Sequence, residues 1–195
     1  MKKYVLILSL FLSFNAMAEI KTYECGEQCT ATLDTKSGIM RVEGNGEMRD
    51  YNEIERFHLP WTNDKGYIKK VVIDDGITNI GRYAFFNCNT IKTIELSKSV
   101  QYVDSCAFDE IYGIQSVTMH DTTIWLDQDN FNDSSNSPNI KINCYGDLEQ
   151  CKTNFLNTKK MKSVANFYYK GKRIYTIKEA ENATGEVNTF SIRYR

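Results

Sequence analysis

Two histidines and six cysteines carry the widest chemical range in this chain, and their spacing limits what they can do. Catalysis needs a general acid or base, or an activated nucleophile, held at hydrogen-bond range. His58 and His120 each stand outside any recognisable catalytic motif, so no catalytic residue is assigned and the chain is read as a non-enzyme. His120 closes a short alternating segment and is expected on its outward side, as a solvated or ligand-contacting ring. Cys25 and Cys29 lack the two-residue spacing of the disulfide oxidoreductases, and no second pair completes a zinc site. The acidic run from Asp127 to Asp133 has the outline of a calcium loop, but Phe131 stands where an oxygen ligand is wanted and the glycine is missing. No metal site and no cofactor is expected.

Cysteine chemistry depends on the compartment, and the first residues speak to that. Lys2 and Lys3 precede an apolar run from Tyr4 to Phe14 and then Ala16-Met17-Ala18, the order of a signal peptide with an A-x-A cleavage site. The apolar run is short for a membrane span, and no second one follows. Residues 1–18 are therefore set apart as a leader, no transmembrane segment is expected, and the mature protein is placed in the periplasm, at the cell surface or outside the cell. Disulfides form and persist there. Local bridges are expected for Cys25 with Cys29 and for Cys144 with Cys151.

Charge is unevenly spread. Residues 19–151 hold 12 Lys and Arg against 22 Asp and Glu, whereas residues 152–195 hold 10 against 3. This marks a compositional boundary near Cys151, between an acidic body and a basic end. A basic cap folding back on the body is the simpler account, and no nucleic-acid partner is expected.

The elements that must position these residues come from an internal repeat. At a period of 23, residues 68–90, 91–113 and 114–136 align in columns: Ile68, Ile91 and Ile114; Val71, Ile94 and Val117; Ile73, Leu96 and Met119; Ile80, Val103 and Leu126; Phe85, Phe108 and Phe131. Ile140 and Ile142 continue the columns into a truncated fourth turn. The V-x-I pair has the period of two that sends both residues to one side of a strand. Stacked units would place such strands about 4.8 Å apart in a parallel ladder, with the columns as ribs of one elongated core. The Ala84-Phe85 and Ala107-Phe108 segments are expected to form a single helical or 3-10 turn on the far side. Cys88 and Cys106 lie beside them and are expected as buried thiols, with a bridge between adjacent coils as the alternative.

The stretch IKKVVIDDGITNIGRYAFFNC resembles the BspA-like leucine-rich repeats, with their V-x-I strand, G-x-T-x-I-G turn and A-F-x-x-C end. The resemblance is specific across residues 68–113, weaker in 114–142, where Asn130 replaces Ala, and absent from the far end. It implies an α/β leucine-rich-repeat solenoid, β-dominated, in a secreted or cell-surface protein that engages host or cell partners.

Together these readings give a parallel ladder of about four strands over residues 68–143, an N-terminal cap over 19–67 and a basic C-terminal cap over 144–195. Solenoid ends need caps, because open ends would expose apolar ribs. Leu33 and Ile39 flank a Thr35-Lys36-Ser37-Gly38 turn in a hairpin, and Trp61 is expected to plug the first coil. Downstream, residues 145–157 suit a short helix and Asn166 to Tyr175 a hairpin around Lys170-Gly171. Thr176 and Glu179 have capping-box spacing, with a helix to Thr184 and a terminal strand from Thr189 to Arg195. That strand either joins the cap or docks on another protein's edge.

The ladder's outer face is the candidate binding surface: Lys70, Val72 and Asp74; Thr93, Glu95 and Ser97; Ser116, Thr118 and His120; Asn139, Lys141 and Asn143. Solenoids bind proteins through such faces. A solvated sheet face would have the same composition. Two functions follow: a monomeric secreted module recognising a protein or glycan through this face, in adhesion or surface recognition, or a periplasmic structural or assembly protein docking through its basic C-terminal segment.

Overall fold

Alternation of apolar and polar residues, repeated coil after coil, organises the structure around two parallel ladders. This computed structural model describes residues 19–125, 130–131, 140–156 and 165–176. Its strands are β1 (Ile20–Gly26), β2 (Cys29–Asp34), β3 (Ile39–Gly44), β4 (Gly46–Glu47), β5 (Lys70–Ile73), β6 (Ile77–Ile80) and β7 (Thr93–Leu96). They continue with β8 (Tyr102–Val103), β9 (Ser116–His120), β10 (Ile124–Trp125), β11 (Ile140–Tyr145), β12 (Ala165–Tyr169) and β13 (Lys172–Thr176), and α1 (Leu148–Leu156) lies between β11 and β12.

The larger sheet has nine strands in the order β1-β2-β3-β5-β7-β9-β11-β12-β13. From β3 to β12 successive neighbours are parallel, while β1, β2 and β13 add antiparallel strands at the two ends. The expected ladder of about four strands is thus too short. The extra parallel rungs, β3 and β12, pair Ile39 with Lys70 and Ala165 with Ile140, at separations wider than 23 residues. A search at one fixed period passes over them.

Within the repeat, Val71, Ile94 and Val117 stand on neighbouring rungs, and Val117 pairs with Ile142, not Ile140. The third coil, from β9 to β11, is thus two residues longer than the two before it. A slip of two keeps each side chain on its own face of the sheet, so the polar and apolar sides survive it. The four-stranded second sheet runs β10-β8-β6-β4 and brings Ile80, Val103 and Trp125 into line. Trp125 therefore takes the position expected of Leu126, which lies outside the described residues.

The third side of each coil is a run of turns with three-residue hydrogen bonds, where a single helical or 3-10 turn is expected. Ala84 donates to the Gly81 carbonyl and Phe86 to that of Tyr83, but Tyr83 and Asn87 have φ of 57° and 55°. Cys106 and Glu110 repeat this at 56° and 53° in the next coil. A left-handed residue breaks a helix after one turn. It also turns the phenylalanines inward. Trp61, Phe85, Phe108 and Phe131 stack in sequence, with centroid separations of 5.4, 5.1 and 5.8 Å. Asn130 is buried where earlier coils have Ala; its Oδ1 accepts from the Phe108 amide and its Nδ2 donates to the Asp104 carbonyl. That satisfies the groups that burying an amide would otherwise leave unpaired.

At the N-terminal end, Trp61 is fully buried against Phe85. Asp64 accepts from Lys21 Nζ at 2.7 Å and Tyr23 Oη at 2.9 Å, tying the loop beside Trp61 to β1. Those bonds, the Lys21 ammonium first, hold the Asp64 carboxyl below its ordinary value. At the other end Cys144 and Cys151 are joined by a disulfide that anchors α1 to β11, and β12 and β13 form a hairpin around Lys170-Gly171. Residues 1–18, the acidic run 127–129 and 132–133, the helix at 179–184 and the strand at 189–195 lie outside the described residues.

Candidate interaction face

Inward side chains of the nine-stranded sheet fill the core, which leaves their neighbours in sequence to build one continuous outer face. Lys70, Thr93, Ser116 and Lys141 form one row across β5, β7, β9 and β11, and Val72, Glu95, Thr118 and Asn143 the next. Both rows run on: Ile39 and Arg41 of β3 precede them, and Asn166 and Tyr168 of β12 follow. His120 stands beside Tyr145 in a third row.

All eight predicted partner-binding residues lie on this face and all are at least partly exposed. Their environments divide it into two halves. In the N-terminal half, charges neutralise one another: Lys70 Nζ meets Glu95 Oε1 at 2.7 Å, and Arg41 pairs with Asp74. Such half-exposed pairs are worth roughly 0.2–1 kcal/mol each, so they set side-chain position more than stability. Ser116 Oγ donates to Thr93 Oγ1 at 3.4 Å, a weak cross-strand contact. In the C-terminal half the surface turns aromatic. His120 packs against Tyr145 at 5.8 Å, and Lys141 Nζ lies 4.6 Å from the Tyr168 ring centroid, a cation–π contact. Burial pushes the His120 imidazole below its ordinary value, against the opposing field of Asp121.

One expected member leaves the face. Ser97 Oγ donates to the Asp74 carbonyl and contacts Ser99 Oγ at 2.8 Å, so it joins a hydrogen-bond spine between coils. Ser99 extends that spine by donating to the Ile77 carbonyl and accepting from the Gly76 amide. Asn139 lies outside the described residues. Sequence reasoning missed Arg41, Tyr145 and Tyr168. Alternation of Met40 and Val42 marks Arg41 as outward, but the Tyr168 strand gave no sign of joining this sheet.

The cysteines fall into three environments. Cys144 and Cys151 are bonded. Cys25 and Cys29 are buried, with their sulfurs 2.7 Å apart and unbonded. Cys88 and Cys106 are separate buried thiols, and burial pushes Cys88 up to about 12, where it is inert at neutral pH. Among the described residues, no group of three or more His, Cys, Asp or Glu side chains is placed to hold a metal ion. None of the described helices is long and apolar enough to cross a membrane.

Comparison with known proteins adds a family. The sequence profile described as "BspA type Leucine rich repeat region (6 copies)" matches residues 62–178. Among solved structures, a leucine-rich repeat protein from Eubacterium ventriosum ATCC 27560 is similar at a TM-score of 0.47 and 16% identity, over 64% of this chain and 44% of that one. The chain thus corresponds to less than half of that protein's length. No curated protein matches.

Proposed function

The chain belongs to the BspA type leucine-rich repeat family, and from that membership we propose that it is an exported, non-catalytic interaction module binding a protein or glycan partner through the outer face of its larger sheet. The observation that carries this is the continuity of that face. Two rows of mostly polar and charged side chains run unbroken from β3 to β12, without a helix laid across them among the described residues. A broad, stiff and shallow surface suits a macromolecule better than a small substrate, which is held in a concave pocket. Rigidity also lowers the ordering cost of association.

In this account residues 68–143 present the central binding coils, β3 and β12 extend the face by a rung at either end, and the rest of 19–67 and 144–195 seals the apolar ribs. Residues 1–18 direct export, and the protein works in the periplasm, at the cell surface or outside the cell. A second reading rests on Lys170, Lys172 and Arg173, which are all exposed at the β12–β13 hairpin. They would serve an assembly protein docking through its basic end.

Charge reversal separates the two. Partner capture from host and culture material is compared for wild type, for Glu95→Lys with Lys141→Glu, and for Lys170→Glu with Lys172→Glu. Loss of a specific partner in the first pair alone supports the sheet face. Loss in the second pair alone moves the activity to the basic end.

A further inference from the structure

The tip of the β1–β2 hairpin holds two cysteine sulfurs in direct contact. Cys25 is the last residue but one of β1 and Cys29 opens β2, and a bulge between Glu24 and Gly26 lets the Gly26–Cys29 register carry both side chains inward. Their sulfurs lie 2.7 Å apart, and the residues are only 1% and 3% exposed. That separation is well inside van der Waals contact for unbonded sulfurs, yet a further approach of less than 1 Å reaches the roughly 2.05 Å of a disulfide.

The backbone around them is fixed from outside. The Arg49 amide donates to the Cys25 carbonyl at 2.6 Å and the Asn45 amide to the Gln28 carbonyl at 2.9 Å. Gly44, with φ of 128°, passes so close that a Cβ there would sit 1.9 Å from the Gln28 carbonyl oxygen. The hairpin tip therefore cannot spread to relieve the contact without disturbing the next strand.

We propose that Cys25 and Cys29 form a redox-interconvertible clasp, a dithiol that becomes a disulfide across the hairpin tip and fixes the loop Gly26–Gln28. In the oxidising step one cysteine thiolate attacks a disulfide-bearing oxidant and expels one of its thiolates, giving a mixed disulfide. The second cysteine thiolate then attacks the protein-side sulfur and expels the other. The two cysteine protons leave with the two thiols formed, so the cysteines are oxidised by two electrons and the oxidant is reduced by two. Both sulfurs are covered in the folded chain, so exchange requires the loop to open. The loop has only three residues between the cysteines, so bridging it removes somewhat less chain entropy than the wider Cys144–Cys151 loop does. By that measure the pair is the more readily reduced of the two.

Gly26, Glu27 and Gln28 form one wall of a groove whose other wall is Gly46, Glu47 and Arg49. Closing the clasp stiffens that wall, which gives the redox state a structural readout distinct from the sheet face.

The test equilibrates the full exported chain in glutathione buffers of graded ratio, traps thiols by alkylation under denaturing conditions, and maps the tryptic peptide of residues 22–36. Cys144–Cys151 serves as the internal sign of an oxidising medium. The expected result is a peptide about 2 Da lighter and unalkylated at the oxidising end. It should regain two alkyl groups together as the buffer becomes reducing, while Cys88 and Cys106 stay alkylated throughout. Four alkylated thiols in a medium that bridges Cys144 and Cys151 would overturn the proposal. So would a bridge from Cys25 or Cys29 to Cys88 or Cys106.

Discussion

Glu110 sits at φ 53°, in the same place in its coil that Asn87 occupies at 55° one coil earlier. Asparagine tolerates the left-handed region better than a longer side chain does. Replacing Glu110 with Asn should raise stability by about 0.5–1 kcal/mol, read as a higher urea midpoint at unchanged slope. A lower midpoint would mean that the Glu110 side chain stabilises the coil by more than the backbone strain costs. At His120 the sign follows from burial. Its folded-state pKa lies below the unfolded value of 6.5, so the unfolded chain binds the proton more readily. Stability should be full above pH 6.5 and fall as pH drops through the folded pKa. Urea midpoints between roughly pH 7.5 and 5 test this, and His120→Asn should flatten part of the slope. What was legible at this scale was facing. Outward placement of Lys70, Thr93, Ser116 and Lys141 follows from the period of two alone. Which of them bind one another does not, because Lys70–Glu95 and Lys141–Tyr168 are diagonal contacts that depend on rotamer and register.

Phe85, Phe108 and Phe131 illustrate how an element can be read from one column yet be misjudged in form. Their recurrence identified the far side of the coil, while the left-handed residues that make it a run of turns gave no compositional sign, since Tyr83 and Cys106 are not turn formers. Phe108 is buried between two stacked rings, and Phe108→Ala should cost about 3–5 kcal/mol. Phe108→Leu should cost clearly less, as thermal unfolding of the pair would show. Equal losses would mean that ring stacking, not filled volume, dominates the column. The element α1 rests on its bridge: Cys144→Ser with Cys151→Ser should lower stability by about 2–3 kcal/mol, from the loop entropy returned to the unfolded chain. Calorimetry of the double variant checks this, and an unchanged transition would show that α1 docks without it. Rungs β3 and β12 escaped the repeat reading for a plain reason: β3 pairs across a connection holding Trp61 and two 3-10 turns, and β12 across one holding α1.

At the scale of the molecule, the strand rows, the aromatic column and the serine spine all run along one axis, so the fold offers its partner a surface longer than any single coil. Each coil is held mainly by its neighbours, which makes stability roughly a sum of local interfaces. The outer face can then vary in side chain without disturbing the ribs beneath it. This division explains why the architecture could be read from repeated apolar residues while the partner could not: the columns are dictated by packing, whereas the face answers only to the ligand. The most direct measurement places a photo-activated cross-linking residue at Thr118, in the middle of the face, and a second at Gln101, exposed at the start of the opposite ladder. Each is irradiated with the captured partner. The account predicts a covalent adduct from position 118 and none from position 101; an adduct from 101 with none from 118 would contradict it.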